Sequence, residues 1–289
     1  MRSILGEAGE VCGSIIENAL DELDSTEYVF SEHSSFEKLP PQERRQQYWI
    51  EILYRAHWAA ASNLLRHKRW ADACLLMYRP KPNYLAFAAA LRGLTESAAD
   101  AAHSLRAASL TLADNSGEIR KAIHGQSTRD VISTELENSL IHFQFGRRLE
   151  KDEVAPQEHK ACSSRTYLTS IELPGGTQVA SLYAALCQVV HPAAQSLMWL
   201  SPHSSGRVTL IRGEDKREIE QLCDEHQDAI EFAQLQSVNS SLLVLRVLNS
   251  FRVSGIRTGS VDRIDLSRLP AWAKISQALQ DDPARLGND

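Results

Sequence analysis

Apolar residues recur along most of the chain at the 3.6-residue spacing of amphipathic α-helices. Proline at position 41 suits a first helical turn, and the polar stretches 80–83 and 115–117 are typical helix stops. The pattern contains no alternation of strands with helices and no glycine-rich phosphate loop, which argues against a nucleotide-binding α/β fold. About eight helices are predicted, over residues 6–23, 41–66 with a bend at 67–69 and a continuation to 78, 84–112, 118–124, 128–145, 177–191, 214–251 with a break near 237–241, and from 270 onward.

The segment 197–212 has a different pattern, because two apolar runs flank a turn-forming stretch. This pattern predicts a β-hairpin with Trp199 and Val208 on antiparallel strands joined around residues 204–206. The predicted fold is therefore all-α, a multi-helix bundle with one small β-hairpin insertion near 197–212. We expect a helix content above about 55%, well over that of a typical globular protein.

Composition places the chain among ordinary globular proteins, with 43% hydrophobic and 24% charged residues over 289 positions. We divide it into an N-terminal helix and connector (1–40), a helical-bundle core (41–251) and a C-terminal tail with a short helix (252–289). The formal net charge of −6 excludes a general polyanion binder, although a local basic surface remains compatible with it.

The sequence contains little that indicates a targeting segment, a membrane span or disulfide bonds. The chain turns acidic at Glu7 before any apolar run forms, and no stretch reaches the roughly 20 apolar residues that span a bilayer. We therefore expect a cytoplasmic protein with no membrane partner. The five cysteines are widely spaced and form no Cys-x-x-Cys pair, which argues against a disulfide framework and against a zinc finger. Buried, reduced thiols are expected.

Basic and aromatic side chains alternate within residues 44–81. Such a surface can bind a single-stranded nucleic acid through phosphate contacts and base stacking. A solvated arginine face backed by an aromatic core explains the same pattern, and both interpretations stay open. The binding candidates on this face are Arg44, Arg55, Arg66, Arg69 and Trp70.

The predicted helix 84–112 carries a polar row in which Glu96, Asp100 and His103 follow at i, i+4 and i+7. These side chains would suit iron, manganese or zinc, and a metal-dependent hydrolase built on them is one alternative function. The chain, however, contains no Glu-x-x-His pair of the kind that di-metal bundles use. Arg92 and Glu96 are also spaced as an ion pair. We therefore expect a polar row, and neither a bound metal nor a cofactor.

Two stretches resemble HEPN-like, abortive-infection-type helical proteins of bacteria. One is 78–96, with Arg92 and Glu96 on a helix, and the other is 182–192, a helix that ends in His191-Pro192 and precedes the hairpin. The resemblance covers about residues 50–250 and implies a helical bundle, frequent dimerisation and, in many members, RNA cleavage. Active members use an arginine and a later histidine that are separated by four to six intervening residues. No arginine here has a histidine at that distance, which argues against ribonuclease activity.

The resemblance favours a HEPN-like bundle that acts by binding a protein or nucleic-acid partner. It also implies a homo-oligomer and a role in stress or phage defence. One alternative is a ribonuclease that brings His191 or His142 together with Arg92 or Arg147. We also predict that Arg92, Glu96 and His191 lie close together and at least partly buried, because the alanine-rich helix around the pair leaves room for a second helix. The candidate catalytic residues are Arg92, Glu96, His103, His142 and His191.

Overall fold

The computed structural model describes residues 2–24, 26–172, 178–192, 195–201, 203–204 and 206–281. Helices take up 70% of the described residues, which confirms the all-α class and the predicted helix content. None of the described helices is both long and apolar enough to cross a membrane. In chain order the helices are α1 (Arg2–Leu23), α2 (His33–Phe36), α3 (Pro41–Tyr78), α4 (Tyr84–Leu105), α5 (Ala108–Asp114), α6 (Ser116–Ile123), α7 (Thr134–Phe145), α8 (Ser164–Ile171), α9 (Val179–Val190), α10 (Gln195–Met198), α11 (Asp215–Glu225), α12 (Gln227–Asn249), α13 (Gly259–Asp262) and α14 (Pro270–Gln280), with a 3-10 turn over Gln157–His159.

The prediction of about eight helices is wrong, since the described residues form more and shorter ones. The predicted helix 84–112 is divided between α4 and α5, where the hydroxyls of Ser109 and Thr111 donate to the carbonyls of residues 106 and 107. The predicted helix 128–145 begins only at Thr134. Before it, Ser127 Oγ donates to the carbonyl of Arg129 at 2.8 Å, a local bond that competes with helix formation. Thr177, with which the predicted helix 177–191 begins, lies outside the described residues.

Two predicted interruptions are absent from the described helices. Helix α3 continues through 67–69, where His67 is buried with Nδ1 3.2 Å from Ser237 Oγ. Helix α12 continues through 237–241, because its serines have partners on other helices: Ser241 Oγ accepts a hydrogen bond from Asn63 Nδ2 at 3.0 Å. The helix break in this part of the chain falls at His226, whose backbone leaves the helical region (φ −122°, ψ 19°).

The chain divides into two compact units, which interleave in sequence. The first unit comprises Met1–Glu17, Leu64–Ala102 and Ser163–Val238. Its core contains Phe87 and Leu91 of α4, Leu182 and Leu186 of α9, and Ile230 of α12, all buried. Apolar faces of helices that are distant in sequence thus share one core, which stabilises them by removing hydrocarbon from water.

The second unit comprises Asn18–Asn63, His103–Cys162 and Asn239–Asp289. Buried side chains of this unit include Trp49 and Leu53 of α3, Leu112 of α5, Ile119 of α6 and Val244 of α12. Helix α14 packs against α5, and α7 packs against the 3-10 turn. The second of these contacts positions the candidate site. The three-segment division into 1–40, 41–251 and 252–289 stays a prediction.

The hairpin is much smaller than predicted. Strands β1 (His203–Ser204) and β2 (Arg207–Val208) are antiparallel, with His203 opposite Val208 and Ser204 opposite Arg207. Trp199 does not lie on a strand, because the apolar run before it forms the short helix α10. The Trp199 ring instead packs edge-on against Tyr84 of α4, with 5.5 Å between the ring centroids. The predicted pairing of Trp199 with Val208 is therefore wrong, and Ser205 of the turn lies outside the described residues.

Candidate metal site

Two histidines and one cysteine of the second unit converge. His103 lies in the last turn of α4, His142 in the last turn of α7, and Cys162 directly before Ser163, the N-cap of α8. One possible ligand atom from each side chain lies within 4.8 Å of the other two. Within the part of the chain that the structure describes, this is the one group of three or more His, Cys, Asp or Glu side chains that meets this condition.

The spacing of these atoms is close to that of a metal site. Cys162 Sγ is 4.0 Å from His103 Nε2. The imidazole rings of His103 and His142 have their centroids 5.7 Å apart and are inclined by 69°. Tetrahedral zinc with bonds of about 2.0–2.3 Å holds its nitrogen and sulfur ligands about 3.3–3.6 Å from one another. The three atoms therefore need to approach one another by at most about 1.5 Å to reach coordination distance.

A backbone hydrogen bond sets the tautomer of His142. Its Nδ1 lies 2.9 Å from the carbonyl oxygen of Glu158, and only a protonated Nδ1 can donate to that acceptor. In the neutral ring the lone pair is consequently on Nε2, which leaves that atom as the possible ligand atom. Histidine ligands in metalloproteins commonly donate their second N–H to a carbonyl or carboxylate, which fixes the ring and raises its basicity.

The segment that carries Cys162 is attached to the end of α7. The amide of Arg147 donates to the His159 carbonyl at 2.9 Å, and the amide of Ala161 donates to the Arg147 carbonyl at 3.0 Å. These two bonds flank Lys160 and form an isolated parallel bridge between residues 147 and 160. Because His142 also bonds this segment, the histidine and the thiol are positioned relative to each other by main-chain contacts.

A cavity of about 250 Å³ opens beside the cluster. Its wall includes all three cluster side chains together with Ser104, Asn138, Ser139, Gln157, Glu158 and Lys160. Ser104 is buried, and within the described residues its Oγ has no hydrogen-bond partner. Lys160 is exposed and belongs to the cavity wall, so a positively charged residue borders this space. The cluster therefore borders a space large enough for a small ligand.

The chemistry of the three side chains points to a borderline-soft metal ion. A thiolate and two imidazoles suit zinc or copper, whereas magnesium, calcium and manganese prefer oxygen ligands. Three protein ligands beside a cavity also resemble catalytic zinc sites, in which the fourth position takes water or substrate. In the absence of a metal, the same contact between Cys162 and His103 is a thiol–imidazole pair.

The predicted row of Glu96, Asp100 and His103 is not a metal-ligand set, because each side chain has a different partner. Asp100 Oδ2 forms an ion pair with Arg66 at 2.7 Å. Glu96 pairs with Arg92 at 3.1 Å, as its spacing predicts. His103 contacts His142 and Cys162. The three residues follow one another on a helix, but their side chains meet different surroundings.

Arg92 and Glu96 are partly buried, with side chains 24% and 40% exposed. Tyr183 of α9 completes the pair: its hydroxyl lies 2.7 Å from Glu96 Oε1 and 3.2 Å from Arg92 Nη2. Burial acts against the charge of Arg92, but the hydrogen bond to Tyr183 and the Glu96 carboxylate raise its pKa. The prediction that His191 is buried with the pair is wrong. His191 caps α9 and is exposed, and Tyr183 of the same helix contacts the pair instead.

The predicted basic face makes internal contacts. Arg44 donates to the carbonyls of residues 37 and 39, and Arg55 donates to Gln144 and covers the ring of Phe30 at 4.6 Å. Arg66 is held by Asp100 as described above. Arg69 and Trp70 are exposed, and Trp70 lies over Gly93. Whether the face binds a nucleic acid stays a prediction.

Sequence reasoning missed the role of Cys162. All five cysteines were expected to be buried, but Cys162 and Cys187 are only half-buried, whereas Cys12, Cys74 and Cys223 are buried. Burial raises the pKa of the Cys12 and Cys223 thiols to about 12. His103 and His142 were candidates, but 59 positions separate His103 from Cys162, and no local motif relates them.

Comparison with known proteins provides no further assignment. No family model, no curated protein and no solved structure matches this chain.

Proposed function

We propose that this protein is a zinc-dependent hydrolase whose metal is held by His103, His142 and Cys162. The observation that carries the proposal is the convergence of these three side chains, within 4.8 Å of one another, at the wall of a cavity. The hydrogen bond from His142 to the Glu158 carbonyl is further support, since it prepares the imidazole for a metal. This proposal takes the place of the expectation that the protein binds no metal.

The ligand number favours a catalytic centre over a structural one. Structural zinc sites have four protein ligands, whereas three ligands leave one position for water. Zinc lowers the pKa of such a water to about 7, which supplies a hydroxide nucleophile at neutral pH. A hydrolase therefore needs from this chain the three ligands, a cavity for the substrate and donors that orient it. The cavity beside the cluster meets these needs, because its wall contains the three ligand residues and the potential donors Asn138 and Lys160.

Elemental analysis of the purified protein tests the proposal directly. We expect about one zinc per chain after dialysis, because three ligands on a preformed scaffold bind zinc tightly. His142→Ala and Cys162→Ser should retain less than about a tenth of the metal, since each removes one of three ligands.

Matched controls are His191→Ala, an exposed histidine, and Cys187→Ser, a second half-buried cysteine. Both should keep the full zinc content. If the wild-type protein neither carries zinc nor competes for it with a chromogenic chelator, the proposed function is wrong. Stoichiometric copper in place of zinc would assign a different metal and would also overturn it.

Partner binding of the HEPN-like kind is a separate proposal, supported by the all-α architecture. It includes the homo-oligomer that the resemblance implies, a protein or nucleic-acid partner, and the defence role. The ribonuclease alternative needs His191 or His142 beside Arg92 or Arg147, and Arg147 is paired with Glu153. Light scattering of the purified protein tests the homo-oligomer, and a monomeric mass at micromolar concentration would contradict it.

A further inference from the structure

We propose that the cavity beside the metal cluster binds an oxyanion, a phosphate or a carboxylate, between the zinc ion and the side chains of Ser104 and Lys160. The inference rests on the proposed zinc site and names the class of substrate that this site takes. Its two supports are a buried hydroxyl with no hydrogen-bond partner among the described residues and a lysine in the same cavity wall.

Ser104 provides the first support. It follows His103 directly on α4, is only 2% exposed and lines the cavity. Its Oγ is buried and has no hydrogen-bond partner among the described residues. Buried hydroxyls are nearly always hydrogen-bonded, because an unpaired one loses its hydration without compensation. A rotation about χ1 that turns the hydroxyl into the cavity would let a ligand oxygen accept this hydrogen bond.

Lys160 provides the second support. Its backbone is extended (φ −86°, ψ 116°), and Cys162 follows two residues later. Side chains at i and i+2 of an extended segment emerge on the same side. Both side chains line the cavity, in agreement with that geometry. The bridge to residue 147 holds the backbone of Lys160 in place, two residues before Cys162.

The charges of the loaded cavity favour an anion. Glu158 is the one carboxylate residue in the described cavity wall, and Lys160 is its counter-charge. A zinc ion with a single thiolate ligand then leaves a net charge of about +1. Asn138 adds an amide donor on the α7 side of the wall. An oxyanion therefore gains both metal coordination and hydrogen bonds from the protein.

Cobalt-substituted protein provides the test, because the visible spectrum of Co²⁺ reports its coordination. Inorganic phosphate and acetate are titrated separately at constant ionic strength, so that the two arms distinguish a phosphoryl from a carboxyl ligand. We expect a saturable spectral change with at least one anion. Lys160→Gln and Ser104→Ala should each weaken its binding about tenfold, the loss of one charge-assisted hydrogen bond, with unchanged cobalt affinity.

Each variant has a matched control. Lys151→Gln removes an exposed charge that does not line the cavity, and Ser260→Ala removes a buried hydroxyl that likewise has no partner but lies elsewhere. Neither control should alter anion binding. Because the Ser104 hydroxyl is unpaired, Ser104→Ala should also leave the melting temperature unchanged or raise it, which separates lost binding from lost folding.

The outcomes are distinguishable. Cobalt binding without any anion-dependent spectral change would overturn the oxyanion site and leave the metal site intact. Absence of cobalt binding would overturn the proposed function itself. If Lys151→Gln and Lys160→Gln weaken anion binding equally, the effect is long-range electrostatics and not a specific contact. That result would also overturn the inference.

Discussion

Acidification from pH 7 to pH 4.5 is expected to reduce the free energy of unfolding by about 5 kcal/mol through two buried histidines alone. His57 and His67 are each 1% exposed. Burial disfavours the imidazolium ion and lowers the pKa of both from 6.5 to about 4. The hydrogen bonds of His57 with Tyr28 (2.7 Å) and of His67 with Ser237 (3.2 Å) satisfy neutral imidazoles.

The sign of this pH dependence follows from proton binding by the two histidines in the folded and unfolded protein. Above pH 6.5 both imidazoles are neutral in the folded and unfolded protein, so stability is independent of them. Between pH 6.5 and pH 4 the unfolded chain binds protons that the folded protein excludes, and stability falls. At pH 4.5 each histidine contributes a loss of about 2.5 kcal/mol. Two such losses are a large share of the roughly 5–15 kcal/mol by which domains are stable.

Urea denaturation followed by circular dichroism at several pH values measures this loss. His67→Gln should reduce the difference between pH 7 and pH 4.5 by about 2.5 kcal/mol, because the amide does not titrate. Carboxyl groups titrate in the same range, but they cancel in the difference between wild type and variant. His191→Gln, an exposed position, is the control. Superimposable pH dependences of wild type and His67→Gln would refute the buried neutral imidazole.

Two further variants test packing. Glu96→Ala should destabilise the protein by about 1–2 kcal/mol, since it leaves Arg92 without its ion-pair partner in a site that is only partly buried. Chemical denaturation measures this change, and a loss below about 0.3 kcal/mol would contradict a stabilising role of the ion pair. Gly6→Ala should cost about 1 kcal/mol more than Gly255→Ala. Both glycines have positive φ (73° and 84°), but only at Gly6 would a Cβ displace the side-chain ends of Gln227 and Glu231, and Glu231 accepts a hydrogen bond from the Ala8 amide. Equal melting temperatures of these two variants would show that the collision is relieved at no cost.

The prediction of helices succeeded where the signals are local. Pro41 and Pro270 begin α3 and α14, as their positions predict. The predicted bend at 67–69 and the predicted break at 237–241 both failed. In those places polar side chains found partners on other helices, as His67 did with Ser237. Tertiary hydrogen bonds therefore overrode the local preference of these residues to interrupt a helix.

The candidate site was predictable only in its components. Imidazoles at positions 103 and 142 were candidates from residue type, and the row at 96, 100 and 103 followed from helical spacing. The same row suggested a shared metal site wrongly, because side chains on one side of a helix can still have different neighbours. Asp100 pairs with Arg66, whereas His103 meets Cys162.

By itself, the sequence determined the all-α class and some helix termini, such as Pro41 and Tyr78 of α3 and Phe145 of α7, because helical periodicity and proline act over a few residues. Tertiary structure alone decided that Cys162 joins two histidines, since side chains 59 positions apart meet only when distant segments pack. It also placed Ser104 in a cavity wall, with no hydrogen-bond partner for its Oγ among the described residues. Finally, it decided that Tyr183, not His191, bonds the Glu96 carboxylate. Local backbone preference selects the helices, but packing selects their neighbours, and the candidate chemistry of this protein depends on those neighbours.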